Sequence, residues 1–256
     1  MRADAVSLEA GRMNDLTIEN YPWIHERHRA FPRVFEDRKH RRIIDLAAGI
    51  GIIAKRIKES YDCELACNEI DQSCLQQLNT LDVKVTSFDL DTNGLLPLER
   101  NSFDAVLCLV TLEHIINTEN LIREMYRILH EEGRLYLSVP NYSSIFYLIP
   151  ILKGRTFHNP LDPEERYEFY AHVRYFTYYT LIELFESFGL YVDTVYLTLP
   201  ETSSRYQKLK QKSKMKAFMF RNTARFVYSL SPRLHPGPIV CFSKKCLSRK
   251  PRLVKV

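Results

Sequence analysis

The sequence predicts an α/β fold: a mostly parallel sheet with helices on both faces and an antiparallel strand near its close. Three observations carry this expectation. Residues Ile43 to Ala54 run from an apolar stretch through Asp45 and small residues into a helical pattern, which is a buried strand turning sharply into a helix. Between residues 41 and 140, strand and helix patterns alternate as parallel sheets require. The chain then closes on two strand patterns without an intervening α/β crossover, so the later one should enter the sheet antiparallel.

Residues 1–40 are polar and read as helical from about Leu16, with Tyr21, Trp23, Ile24, Phe31 and Phe35 as apolar anchors. This N-terminal segment either packs on the sheet edge or forms a lid over a substrate. Strand one is expected at Arg42–Ala47, a helix at about Gly51–Ser60, strand two at Cys63–Glu69 and a helix at Asp71–Asn79. Strands three and four follow at Val83–Phe88 and Phe103–Leu109, then a helix at Thr118–His130 and strand five at Gly133–Val139. Residues 142–175 are rich in Tyr, Phe and Pro and read as an inserted cap on a core spanning 41–200. A helix at Thr177–Phe188 and a strand at Tyr191–Leu199 resume the pattern, and Pro238–Ser243 is a final strand before a Lys/Arg tail.

A chain of 256 residues is long enough for one such domain with a full core. Its six cysteines lack paired C-x-x-C spacing, so neither a zinc site nor a disulfide framework is expected, and a reducing, cytoplasmic compartment is. No secretory leader opens the sequence, and its longest apolar patch, Ile145–Leu152, is too short to span a bilayer. The net charge of +5 conceals a division: residues 202–256 hold 15 Lys or Arg and no Asp or Glu, which leaves 21 basic against 31 acidic residues before them.

Acids close three successive strands: Asp45, Glu69 and Asp89. One such acid is commonly a helix cap. Three at the edge where open α/β sheets bind ligands point to a ligand with several hydrogen-bond donors. Gly49 to Ala54 also satisfies the weak G-x-G-x-x-G/A dinucleotide pattern. Further motifs decide between cofactors. Asp45 followed by small-x-Gly-x-Gly (Ala47, Gly49, Gly51) resembles motif I of class I S-adenosylmethionine-dependent methyltransferases, with Ala47 in place of the usual first glycine. Ser102–Ile115, containing Leu112-Glu113-His114, resembles the strand-four block of type-11 methyltransferases, similar to those of ubiquinone synthesis. Leu121–Leu129, Gly133–Asn141 and His172-Val173-Arg174-Tyr175-Phe176-Thr177 continue the likeness, which covers about residues 40–200.

That resemblance implies a seven-stranded Rossmann-like methyltransferase sheet and S-adenosyl-L-methionine as cofactor. It places Asp45, Ala47, Gly49 and Gly51 against the methionine and ribose, Glu69 on the ribose hydroxyls, and Asp89 with Leu90 at the adenine. Leu109, ending strand four, completes the cofactor set. His114 is the candidate base or substrate contact, and His172 and Arg174 are further candidate substrate contacts. In the ubiquinone-pathway enzymes an extra acid before Leu-Glu-His accompanies metal binding; Val110 stands there, so no metal is expected.

Residues 205–230 read as an amphipathic helix. Lys210, Lys214, Arg221 and Arg225 share one face, and Met215, Met219, Phe220, Phe226, Val227 and Leu230 the other. Such a helix either docks on the domain with a wet basic face or lies in an anionic membrane surface. The expected activity is methylation, at oxygen, of a small-molecule or lipid-linked acceptor. The alternatives are an RNA-modifying methyltransferase, which would use the basic segment as a phosphate track, and a methyltransferase-like binding module without catalysis. No Asn/Asp-Pro-Pro-Tyr-like motif of base methylation follows strand four, and all three strand-end acids are present.

Overall fold

A computed structural model describes residues 17, 26–162, 165–200, 204–246 and 250–256. Leu16, Tyr21, Trp23 and Ile24 lie outside these, as does most of the segment expected to form a lid.

Eight strands form one sheet: β1 (Arg42–Asp45), β2 (Glu64–Asn68), β3 (Lys84–Thr86), β4 (Phe103–Leu109), β5 (Leu129–Ser138), β6 (Tyr191–Leu197), β7 (Ile239–Ser243) and β8 (Arg252–Lys255). Their order is β3-β2-β1-β4-β5-β7-β6-β8. Pairing is parallel from β3 through β5, and β7 runs antiparallel between β5 and β6, as the crossover argument requires. Sequence order reverses between β1 and β4, so the carboxyl ends of these two strands open the crevice that α/β sheets use for ligands.

Side chains alternate between two cores, as a strand's two-residue period dictates. Ile44, Val106, Cys108, Leu135, Leu137, Val240 and Phe242 face one side, beneath helices later in the chain. Ile43, Leu107, Tyr136, Ile239 and Cys241 face the other. Strands buried on both faces read as continuous apolar runs, which is why they were visible in the sequence. Helices α1 (Glu26–Ala30), α2 (Ile52–Ser60) and α3 (Gln72–Leu78) belong to the second face, where Phe31 and Phe35 are fully buried with Tyr136. The Phe31 and Phe35 rings meet Tyr136 edge-on at 6.1 and 5.3 Å. These two anchors thus pack on the sheet. Helices α4 (Thr118–Ile128) and α7 (Tyr178–Ser187) cover the first face, with Ile122, Met125, Leu181 and Phe185 inward. Between them, the region expected as a cap contains α5 (Ile145–Leu152) and α6 (Arg166–Ala171).

The structure departs from expectation in three places. Helix α4 stops at Ile128 and β5 begins at Leu129, because Phe103 pairs with Leu129 before the ladder shifts register ahead of Ala105 and Arg134. The single helix expected over 205–230 is two, α8 (Ser204–Lys212) and α9 (Lys214–Leu230). Ser213 separates them in extended backbone, its hydroxyl accepting the Lys216 N–H as an N-cap. Finally, the basic tail supplies an eighth strand: β8 pairs parallel with β6 and covers an edge that would otherwise present unpaired backbone. Arg252 reaches Glu36, which accepts from Tyr196 at 2.8 Å, while Arg38 bonds Tyr196 at 2.8 Å and Asp193 at 2.5 Å. Charged residues at 36, 38 and 252 therefore tie the ends of the described chain across the outer strands.

Candidate active site

The β1–α2 turn is shaped by its two glycines. Gly49 has φ of +54° and Gly51 of +84°, a region that side chains other than glycine rarely adopt. A Cβ on Gly51 would lie 2.8 Å from Leu78 and 2.9 Å from Leu81, so this glycine lets α3 and its following loop pack against the start of α2. A Cβ on Gly49 would meet nothing within 4 Å, so that part of the loop faces the cleft. Ala47 sits half-buried just before it.

Asp45 and Glu69 flank the turn. Asp45 is almost fully buried, and its Oδ1 has no hydrogen-bond partner. Burial pushes its carboxyl up to about 7, the charge of Glu69 adds to the rise, and a hydrogen bond from the Ala47 backbone opposes it. Glu69 accepts the Gly49 N–H on Oε2 at 2.8 Å, and the Ile70 and Asp71 N–H groups on Oε1 at 2.7 and 3.1 Å. It therefore fixes the glycine loop, and with both Oε1 sites taken it keeps one acceptor site, on Oε2, for a ligand hydroxyl. Beneath it, buried Asn68 donates to Leu46 O and Phe88 O and accepts from Phe88 N. This side chain pins the ends of β1, β2 and β3 together. Only its place as the last residue of β2 could have singled it out.

Asp89 is exposed, with one oxygen accepting the Asp91 N–H at 2.8 Å, while Leu90 is buried in the first core. Asp91, missed in the sequence, carries the supporting role: its carboxylate accepts the Ile116 and Asn117 N–H groups at 3.0 and 2.7 Å and steadies the loop after β4. Leu109 is buried on the second face, and Val110 follows it at φ +55°, a conformation that a β-branched residue adopts only under constraint.

Beyond β4, the 3-10 turn Leu112–His114 meets the chain around Tyr142 and His172. His114 Nδ1 lies 3.1 Å from Ala171 O; a carbonyl can only accept, so Nδ1 carries the proton and Nε2 the basic lone pair. Its ring centroid is 4.8 Å from that of His172. Buried His172 is 2.7 Å from the Tyr142 hydroxyl through Nδ1, and that hydroxyl is 2.8 Å from His158 Nε2. Tyr142 and His158 were not foreseen, because their value lies in a contact across the inserted region and not in any local pattern. Glu113, fully buried, completes the group: among the described residues, Glu113, His114 and His172 bring one ligand atom each to within 4.8 Å of one another, close enough to share a cation. Arg174 points elsewhere, donating to Ile116 O at 2.7 Å and bracing the loop.

Asp45, Glu69 and the glycine loop thus gather at the carboxyl end of β1 and β2, Asp89 stands exposed after β3, and the histidine cluster lies beyond the ends of β4 and β5. A buried carboxylate with one unpartnered oxygen suits a cationic amine, the open Gly49 loop suits close ligand approach, and the remaining Oε2 site of Glu69 suits a ligand hydroxyl. These residues fit S-adenosylmethionine.

Comparison with known proteins agrees. A family profile described as a methyltransferase domain matches residues 16–195. An uncharacterised protein of Methanocaldococcus jannaschii is 29% identical over 128 residues, 50% of this chain and 53% of that protein. A ubiquinone biosynthesis O-methyltransferase of Glaesserella parasuis is 27% identical over 110 residues, 41% of this chain and 43% of its own length. The chain thus spans about half the length of the curated relatives it matches. A solved SAM-dependent methyltransferase from Archaeoglobus fulgidus superposes with a TM-score of 0.55 at 16% identity, over 84% of this chain and 90% of that one, and shows the same fold. The chain belongs to the methyltransferase-domain family, with the class I fold and S-adenosyl-L-methionine as the cofactor that family and fold imply.

Proposed function

We propose that this protein transfers a methyl group from S-adenosylmethionine to an oxygen of a small-molecule or lipid-linked acceptor. The observation that carries the reading is His114: its Nδ1–H is held by Ala171 O, so its basic nitrogen is Nε2, on the 3-10 turn that follows β4. The bound cofactor supplies an electrophilic methyl on a sulfonium. The chain supplies the rest. Asp45, Gly49 and Glu69 hold the cofactor, and the region around Tyr142 and His172 seats the acceptor, ideally with its oxygen about 3–3.5 Å from the methyl carbon. His114 Nε2 takes the hydroxyl proton as the oxygen attacks, and buried Glu113 stabilises the resulting imidazolium. The Tyr142 hydroxyl, bridging His158 and His172, keeps the neighbouring ring fixed.

Methyl transfer from radiolabelled cofactor to a panel of phenols and quinols tests this, run with the parent and with His114→Gln. A loss of about 10²-fold or more in turnover with cofactor affinity intact supports a base. Full turnover in a folded variant refutes it. A second reading has its own observation: Glu113, His114 and His172 lie close enough to hold a divalent cation. Turnover that survives a chelator supports the metal-free base; turnover lost to a chelator and restored by a divalent cation assigns the trio as ligands.

A further inference from the structure

Helix α9 is docked with the opposite face from the one its amphipathic pattern suggests. Its buried residues are Ala217, Ala224 and Tyr228, two of them small, with the Tyr228 ring centroid 4.6 Å from that of His235 and the rings tilted by 58°. The large apolar residues point away: Met215, Met219, Phe226 and Leu230 are 69, 61, 65 and 62% exposed. Their spacing of four, seven and four residues makes one stripe along the helix. Lys216 borders the stripe on one side, and Arg225, Lys214 and Arg221 lie further round the helix on the other. A soluble helix normally hides such a stripe against its own domain, and this one does not.

A second apolar element starts near its C-terminal end. Helix α5 reads Ile-Phe-Tyr-Leu-Ile-Pro-Ile-Leu, carries no charge, buries none of its residues, and leaves Leu152 84% exposed. The loop before α5 is fastened to the turn after α9: Asn141 Nδ2 donates to Arg233 O and His235 O at 2.7 Å each, and Ser143 Oγ to Arg233 O at 3.0 Å. The start of α5 therefore lies beside the turn after α9, and Tyr142, within the same junction, is part of the region proposed to seat the acceptor.

We infer that α9 and α5 together form a docking surface for an anionic lipid membrane, seated beside the acceptor opening. The charge pattern selects this occupant. With 15 basic and no acidic residues from 202 to 256, a second copy set face to face would oppose cation to cation. A nucleic acid would satisfy the cations and leave the aliphatic and thioether side chains of both helices wet. An anionic leaflet satisfies both, its phosphates meeting the Lys and Arg to either side while the stripe enters the acyl boundary. No helix among the described residues is long and apolar enough to cross a membrane, so the contact is interfacial. The surface rests on its own geometry; delivery of a lipid-linked acceptor from it rests on the function proposed above.

Flotation of the full chain with phosphatidylglycerol-containing vesicles, against pure phosphatidylcholine vesicles, tests the inference. The parent should float with the anionic vesicles and much less with the neutral ones. Met219→Ser with Phe226→Ser keeps every charge and should weaken flotation about tenfold or more per residue removed from the acyl boundary. Lys214→Gln, Arg221→Gln and Arg225→Gln should each weaken it about fivefold, more at low salt. Lys214, Met219, Arg225 and Phe226 are exposed and Arg221 is half-buried, and unchanged S-adenosylmethionine binding by calorimetry shows that the variants are folded. A parent that fails to float overturns the inference, as does a Met219→Ser/Phe226→Ser variant that floats like the parent. A dimer by light scattering that this variant dissociates, without flotation, gives the stripe to a second copy and also overturns it. RNA retention by parent and variant alike, without flotation, does the same. A parent that floats yet binds no cofactor leaves the surface standing and sinks the methyltransferase reading instead.

Discussion

Asp45→Asn separates a ligand-facing carboxylate from a structural one. In the free protein the Asp45 carboxyl titrates near 7 against an ordinary value of 3.8, chiefly because it is buried. A raised folded-state value favours the native state below the unfolded value, and that advantage is lost as pH climbs through the folded one. The difference of about three pH units, at 1.36 kcal/mol each, amounts to about 4 kcal/mol withdrawn between pH 4 and 7. Asparagine has the same shape and no charge, so it escapes this loss. Its amide must find an acceptor, at a cost of about 1–3 kcal/mol. The net gain at about pH 8 is therefore about 2 kcal/mol, a rise in Tm of about 4–8 °C for a chain of this length. At about pH 5, where Asp45 is protonated anyway, the gain should vanish. Cofactor affinity should move the other way: loss of a charge-assisted contact to a cationic amine costs about 1.5–3 kcal/mol, or about 10–150-fold in Kd. Thermal melts at the two pH values and titration calorimetry measure both. A variant that melts below the parent at pH 8 and binds S-adenosylmethionine as tightly would show that Asp45 serves the fold and not the ligand.

Three further outcomes are expected. Glu69→Ala removes the acceptor that fixes Gly49 as well as the proposed hydroxyl contact, and should weaken cofactor binding by about 1.5–3 kcal/mol per charged hydrogen bond lost; calorimetry reads it directly. Gly51→Ala forces a side chain into the left-handed region against Leu78 and Leu81 and should cost about 1–3 kcal/mol in denaturant melts. Burial lowers both His40 and His235 to about 4, so each binds its proton less readily in the folded state than in the unfolded one. Their contribution is full above about pH 6.5 and is lost as pH falls toward 4, and His235→Gln should flatten that part of an acid melt.

The parallel half of the sheet was legible because its strands are buried on both faces and its turns use residues with one conformational purpose, such as Gly51. The β7 insertion was legible from topology alone. What escaped depended on partners distant in sequence. The stretch around Leu253 and Val254 carries too few residues to announce a strand, and it becomes one because β6 offers an edge. The wheel of α9 correctly grouped Met215, Met219, Phe226 and Leu230, but no periodicity says which face meets the domain; Ala217 and Ala224 won it by allowing close approach. The site divides the same way. Asp45 and Gly49 follow from one motif, Glu69 from the end of strand two, and the three converge, whereas Tyr142 and His158 meet only through the fold of the inserted segment.

Val110 has a bearing on how this protein could evolve. A β-branched residue in the left-handed region, its N–H fixed to Ser138 O at 2.7 Å, holds the chain in a pose that glycine would adopt without strain. One substitution away lies a variant more relaxed by about 1 kcal/mol, and also a looser hinge between β4 and the Leu-Glu-His turn. Directed selection for heat resistance should find Val110→Gly early, and selection for turnover should reject it. A tense backbone just before the Leu-Glu-His turn therefore sets stability against the positional accuracy of His114.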